Sequence, residues 1–385
     1  MTEKIYYSDP HIFEFTATVE SCTPKDDKWL LVLDRTAFFP EEGGQGADTG
    51  YINDIAVEHV AIDKSGTITH LVGKSFDTGS KVSGKINYEQ RFDYEQQHSG
   101  EHILSGFAAS MYGCTNVGFH LGQSETTLDF DKPLSAKQLA VLEEKANEAV
   151  LKNLPIKCGF PSPEELQTLE YRSKLALTEN VRIVEIPGVD ICACCAPHVD
   201  FTGQICLIKI VRSQAWKGGV RLTIFCGKRA LGNYSECLDT IGRLTAICST
   251  SASLLPDSVT KIKNELSEAI ANANRLKSDL LTMEIASQPA IPFYAPLLFF
   301  TSDVDGKVLR NTVSRLTASR TGICAIFAGC DTTGYNFIIG CAAGGCKELA
   351  GKLRNELSAK CGGDDKMLQG NIPVPEATIR AWFES

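Results

Sequence analysis

Apolar and polar positions in the first ninety residues follow the two-residue period of β-strands. Phe13, Phe15, Ala17 and Val19 alternate with polar neighbours, 29–33 is a short continuous apolar run, and 67–72 is brief and turn-bounded. The stretch Phe38, Phe39, Pro40, Glu41, Glu42, Gly43, Gly44, Gln45, Gly46 interrupts this pattern and reads, taken alone, as a tight turn closing a small barrel. From residue 91 the pattern is mixed. Residues 101–112 read as a helix ending near Gly113. Residues 135–154 read as a second helix, capped by Ser135, with apolar Leu139, Leu142, Ala146 and Val150 on one face. Residues 181–186 and 203–211 read as strands.

Between Pro256 and Pro289 the spacing becomes heptad-like. Val259, Ile262, Leu266, Ala269, Ala273, Leu276, Leu280 and Met283 recur three and four apart, a coiled-coil seam. Its narrow stripe needs a partner, either another subunit or a preceding helix over 234–249. Beyond it, strands over 296–301, 322–329 and 335–342 alternate with helices over 308–319 and 346–360, and a glycine-rich tail follows at 361–370. The pattern therefore predicts an α+β protein in four parts: an N-terminal β-barrel with its glycine-rich loop (1–90), a mixed α/β domain (91–245), a long helical coiled-coil segment (246–289) and a compact C-terminal α/β domain (290–385).

Composition narrows the function classes. The net charge of −9 disfavours non-specific polyanion binding, yet leaves room for a local basic surface. Fifteen cysteines, an odd number in a long chain, point to free thiols in a reducing compartment. Most, including Cys324, Cys330 and Cys341, are expected as small core residues. No apolar run reaches membrane-span length and no signal pattern opens the chain, so a cytoplasmic location without membrane association is expected. No Walker-type segment is present, which argues against an NTPase.

Two pairs carry chemistry. His98 and His102 lie four apart, on one helix face if the helix begins by His98. Cys194 and His198 repeat the spacing. Three imidazoles and one thiolate make a tetrahedral zinc set, Zn2+ suiting mixed nitrogen and sulfur donors. Cys192 and Cys195 are read as packing or supporting groups. Four protein ligands usually make a closed structural site, but a displaceable ligand would let it orient a substrate. Glu101 directly precedes the second histidine, whereas the metalloprotease glutamate directly follows the first, which disfavours a zinc peptidase. Lys209, Arg212, Lys217 and Arg221, with Lys228 and Arg229 nearby, crowd one stretch and are candidates for following RNA phosphates.

These ligands resemble those of the editing domain of alanyl-tRNA synthetase and its free-standing relatives, the AlaX proteins, in the long form. Residues 38–50 resemble the family's barrel segment. Residues 116–122 with 127–130 look like the strand pair lining the editing pocket, and 202–205 with 217–222 like its closing strands. The tail at 362–370 is similar to the DHHA1-type domain of the synthetase. No class II aminoacylation segment is part of the resemblance.

The resemblance implies a zinc-binding deacylase domain over 91–245 and a DHHA1-type domain over 290–385. It implies hydrolysis of mischarged tRNA(Ala), seryl-tRNA(Ala) first and glycyl-tRNA(Ala) second, by a homodimer formed through the coiled-coil segment and C-terminal domain. On the same footing Glu101 and His120 are catalytic candidates, and Gln45, Gly43 and Gly44 candidates for holding substrate. Two departures bear on substrate selection: Pro197 stands where the family pattern has threonine, and Glu42 where it has the first of three glycines. The competing readings are a zinc-dependent amidase or peptidase on small substrates, and a non-catalytic tRNA-binding scaffold with structural zinc.

Overall fold

A computed structural model describes residues 2–173, 181–302 and 304–384. The chain forms two compact units, 1–241 and 242–385. The architecture is mixed α+β.

Six strands close a barrel: β1 (Glu14–Lys25), β2 (Lys28–Leu33), β3 (Gly50–Ile52), β4 (Ile55–Ile62), β5 (Ile68–Val72) and β6 (Lys81–Ile86), ordered β1-β2-β5-β4-β3-β6. The expected alternation is what fills it. Phe15, Ala17 and Val19 of β1 meet Leu31, Leu33, Val60, Ile68 and Val82, while Phe38 and Phe39 join the same core from the glycine-rich loop.

His70 of β5 is fully buried in this barrel. Its Nδ1 lies 3.1 Å from the Leu31 carbonyl and its Nε2 2.9 Å from the Thr36 hydroxyl, a neutral ring donating to one and accepting from the other. Burial pulls its pKa down to about 4, although the bond to Leu31 works the other way. The unfolded chain, with an ordinary histidine near pH 6.5, therefore binds the extra proton first. Stability from His70 is complete above about pH 6.5 and is lost as pH falls towards 4, about 3 kcal/mol in all. The melting temperature is expected to fall more steeply between pH 6.5 and 4.5 in the native chain than in His70→Gln. Equal slopes would remove His70 from the acid response.

Helix α1 (Tyr88–Tyr112) leaves the barrel directly. Asn87 caps it by accepting from the Gln90 amide, and Gly113 ends it in the left-handed conformation, with φ of 62°. The helix starts well before residue 101, where apolar spacing placed it. Its early turns bury Arg91, Glu95, Gln96 and Gln97, so the inward face is polar and the hydrophobic period is silent there. Arg91 pairs with Asp48 and donates to the carbonyls of Pro10 and Ala37, tying α1 to the barrel.

Strands β7 (Asn116–Leu121) and β8 (Thr126–Phe130), helix α2 (Ala136–Leu151), and strands β9 (Lys157–Gly159), β10 (Ile183–Ile186), β11 (Asp190–Ala193), β12 (Ile208–Trp216) and β13 (Gly219–Cys226) complete the first unit's core. They form a four-stranded sheet, β12-β13-β8-β7, and a three-stranded one, β9-β10-β11. Ser135 and Gln138 cap α2 reciprocally. Residues 202–205 are a 3-10 turn rather than the start of a strand, and Cys206 takes a positive φ of 67°, so extended pairing begins only at Ile208.

Helix α3 (Gly227–Cys248) carries the boundary between the units. In the second unit, helix α4 (Leu255–Ala286) is unbroken over 32 residues, roughly 48 Å. Val259, Ile262, Leu266, Leu276, Leu280 and Met283 of the heptad stripe are exposed. The last turns instead bury Ser278, Leu281 and Ile285. Strand β14 (Leu297–Thr301), helix α5 (Gly306–Ser319), strands β15 (Cys324–Cys330) and β16 (Gly334–Gly340), helix α6 (Cys346–Glu356), strands β17 (Lys360–Gly363) and β18 (Met367–Ile372), and helix α7 (Glu376–Glu384) build a five-stranded sheet, β14-β15-β16-β18-β17. The glycine-rich tail is its β17–β18 hairpin.

All fifteen cysteines are free thiols. Cys324 and Cys341 are core residues as expected, but Cys330 is exposed at the end of β15, where the chain turns into Asp331.

Candidate metal centre

Nearly three turns into α1, His98 and His102 share a face, and both are buried. The loop after β11 brings Cys194 and His198 to the same point. The four side chains each present one ligand atom within 4.8 Å of the others. Cys194 Sγ lies 3.5 Å from both His98 Nε2 and His198 Nε2. With Zn–S of about 2.3 Å and Zn–N of about 2.0 Å at a tetrahedral angle, a sulfur and a nitrogen ligand stand about 3.5 Å apart. The donor set and its spacing therefore fit a metal ion.

The far side of each imidazole supports that reading. His98 Nδ1 donates to Gln45 Oε1 at 2.8 Å, His198 Nδ1 to Ser99 Oγ at 3.0 Å, and His102 Nδ1 to Asp190 Oδ2 at 3.0 Å. The Gln45 and Asp190 oxygens can only accept, so the His98 and His102 rings are held as the tautomer that leaves Nε2 free to bind metal, and the Ser99 hydroxyl can accept from His198 in the same way. Burial, reinforced by the neighbouring histidines, holds His198 well below the usual imidazole range, so it is a neutral ligand. Burial pushes the Cys194 thiol up, and metal binding is what would remove its proton. The loop is fixed by Arg182, whose Nη1 donates to the carbonyls of Cys194 and Ala196, on either side of Cys195.

Glu101 lies beside the ligands. One oxygen accepts from Ser105 and Asn116, and the other stands 3.9 Å from His102 Nε2. Asn116 reaches it because Val117 is an extra residue in β7: Asp129 pairs with Gly118 but Phe130 with Asn116. On the same strand Phe119 packs its ring 4.7 Å from that of His98. His120 follows Phe119 and is exposed, consistent with the opposite side of the strand, and is not among the groups gathered at the ligands.

The glycine loop is built into this wall. Leu121 N donates to Gly44 O at 2.7 Å, and Gly46 N to Leu121 O at 3.2 Å. Gly44 has a φ of 86°, and a Cβ there would meet the Phe119 carbonyl at 2.4 Å, so only glycine lets the loop lie this close. Gln45 is fully buried on His98, and Gly43 faces the Cys195 thiol.

The basic candidates are largely committed to local pairs. Lys209 bonds Glu143 at 2.6 Å, and Arg221 bonds Asp129 and stacks on Trp216. Lys217 also lies over Trp216, while Arg212 is exposed. Spacing alone did not reveal Ser99, Asn116, Arg182 or Asp190. Each is an ordinary residue whose role appears only once distant segments meet.

Comparison with known proteins places this geometry. The chain is 30% identical to the alanyl-tRNA editing protein Aarsd1-B of Xenopus laevis, over 71% of each chain. It belongs to the alanyl-tRNA editing protein family. The family likeness extends to the mouse protein Aarsd1, 25% identical over 94% of this chain and 92% of the relative. AlaX-L of Pyrococcus horikoshii is 29% identical over 72% and 69%. Residues 181–222, with Cys194 and His198, match the threonyl and alanyl tRNA synthetase second additional domain. Residues 3–90, which contain the barrel and Gln45, match class II (A) tRNA synthetases.

Proposed function

We propose that this chain is a trans-editing hydrolase that removes a wrongly attached amino acid from tRNA(Ala). The observation that carries the reading is the four-residue ligand set, built jointly by α1 and a segment matching the synthetase editing family. The chemical need is clear: a pocket made for alanine cannot strongly reject serine, which adds only a hydroxyl, or glycine, which lacks only a methyl. We infer seryl-tRNA(Ala) as first substrate and glycyl-tRNA(Ala) as second.

We assign zinc to His98, His102, Cys194 and His198; when bound, it supplies a Lewis acid that polarises the substrate end or a water. Glu101 is the candidate general base. Ser105 and Asn116 hold one of its oxygens, so the other can take a proton from the attacking water as the ester opens and pass it to the departing ribose oxygen, which leaves as a hydroxyl. Gln45, Gly43 and Gly44 form the wall beside His98, with His120 further out on the exposed face. Arg212 and Lys217 are the basic candidates best placed for phosphate contacts, since Lys209 and Arg221 already hold carboxylates. We further infer that the 290–385 domain is of the DHHA1 type. The exposed stripe on α4 supports a homodimer through a coiled coil, and no described helix is long and apolar enough to cross a membrane.

Incubation with Ser-, Gly- and Ala-charged tRNA(Ala), with and without a chelator, tests the reading. Serine is expected to be released fastest and alanine slowest, with the chelated protein inactive. Absence of release from every charged tRNA would overturn it, and turnover of small amides without RNA would favour the amidase alternative.

A further inference from the structure

Behind the ligands lies a charged layer. We propose that Asp190 is the positioning residue that fixes His102 and sets the centre's metal affinity, with Arg172 holding Asp190 in place. The proposal rests on the four residues being a metal centre.

The three ligand imidazoles are all anchored at Nδ1, but not equally. His98 meets a neutral amide and His198 a neutral hydroxyl, whereas His102 meets a carboxylate. A bond to an ionised acceptor is roughly twice as strong as a neutral one. It also makes the other ring nitrogen a better donor to metal. His102 is therefore the ligand with the firmest orientation.

Asp190 is itself fully engaged. Its Oδ2 accepts from His102 at 3.0 Å and from Arg172 Nη2 at 2.7 Å, and its Oδ1 accepts from Arg172 Nε at 2.7 Å. Arg172 is stitched to β11 by its backbone: its amide donates to the Ile191 carbonyl at 2.8 Å, and the Ala193 amide donates to its carbonyl at 2.9 Å. A second, independent feature sets the distance from α1 to β11. Gly106 lies one turn after His102, and a Cβ there would stand 2.8 Å from the Asp190 Cβ and 2.4 Å from the Val189 carbonyl. The helix can bring His102 onto Asp190 only because position 106 has no side chain. His102, Asp190 and Cys192 also lie close enough to suggest a second ion. The Arg172 cation already occupies both carboxylate oxygens, so this group serves the first centre instead.

The test uses the full chain and two readouts that do not depend on turnover: zinc affinity by chelator competition, and the visible spectrum of the cobalt-substituted protein. Asp190→Asn is expected to weaken zinc binding about ten- to a hundredfold and to shift the cobalt bands. Asp190→Glu should recover part of the loss. Ser99→Ala, which removes only a neutral partner from His198, should lose less. Zinc binding within about twofold of native and an unchanged cobalt spectrum in Asp190→Asn would overturn the proposal, as would an equal loss in Ser99→Ala. Should Asp190→Asn not fold, Arg172→Gln keeps the carboxylate and frees it to swing; a measurable loss of affinity supports the proposal and native affinity overturns it. A native chain that takes up no metal would remove the metal centre and this proposal together, whereas native affinity in the variants removes only the latter.

Discussion

His98→Ala is expected to lose zinc and, with it, release of serine from seryl-tRNA(Ala). Structural zinc sites with four ligands are worth about 10–16 kcal/mol, so one ligand carries about 3 kcal/mol, roughly a hundred- to a thousandfold in affinity. The loss reaches beyond the ion. The His98 ring also anchors Gln45 and packs on Phe119, so its removal leaves an uncapped amide inside the site wall. Zinc content of the purified variant and its single-turnover deacylation rate are the two measurements. A variant with full zinc and full activity would sink the ligand assignment.

The second large effect is at Arg91, far from the chemistry. Arg91 and Asp48 are an ion pair buried out of solvent, and Asp48 also accepts from the Phe39 amide at 2.6 Å. Removing one partner of such a pair strands the other charge and costs about 3–5 kcal/mol. Arg91→Met also leaves the Pro10 and Ala37 carbonyls without their donor. The melting temperature of the first unit should fall sharply. Arg91→Met with Asp48→Leu should recover the part of the loss that comes from the stranded charge, while the Pro10 and Ala37 carbonyls and the Phe39 amide stay without their partners. An unchanged melting curve for the single variant would refute the argument. The pair also matters to the site. Asp48 closes the loop that carries Gln45, and Arg91 lies two turns before His98, so this contact sets the loop against the helix.

Much of the barrel was legible in the sequence, because its strands bury one face and expose the other, which forces alternation. Phe15, Ala17 and Val19 are inside as their spacing required. The start of α1 was not legible. Helical periodicity shows only where the buried face is apolar, and here that face carries Arg91, Glu95, Gln96, Gln97 and the ligands. The turn at 202–205 was misread as strand for a related reason: Ile205 is buried by the 3-10 turn, and apolar content does not distinguish that from pairing. The seam on α4 was legible as spacing, yet the helix buries Leu281 and Ile285 from a different face, because packing within the chain follows the surface that meets α5.

The four candidate ligands could be picked out from the chain alone. Two ligand types four apart are a local signal, since a helix turn or a short loop places them together without help from elsewhere. Their supporting partners could not. Gln45 to His98, Ser99 to His198 and Asp190 to His102 join segments 53, 99 and 88 positions apart, and nothing local marks an ordinary glutamine, serine or aspartate as a partner for an imidazole. Sequence set which atoms could hold a metal. The tertiary structure decided which nitrogen each histidine offers it, because that choice depends on hydrogen bonds that exist only after the barrel loop, α1 and β11 have packed together.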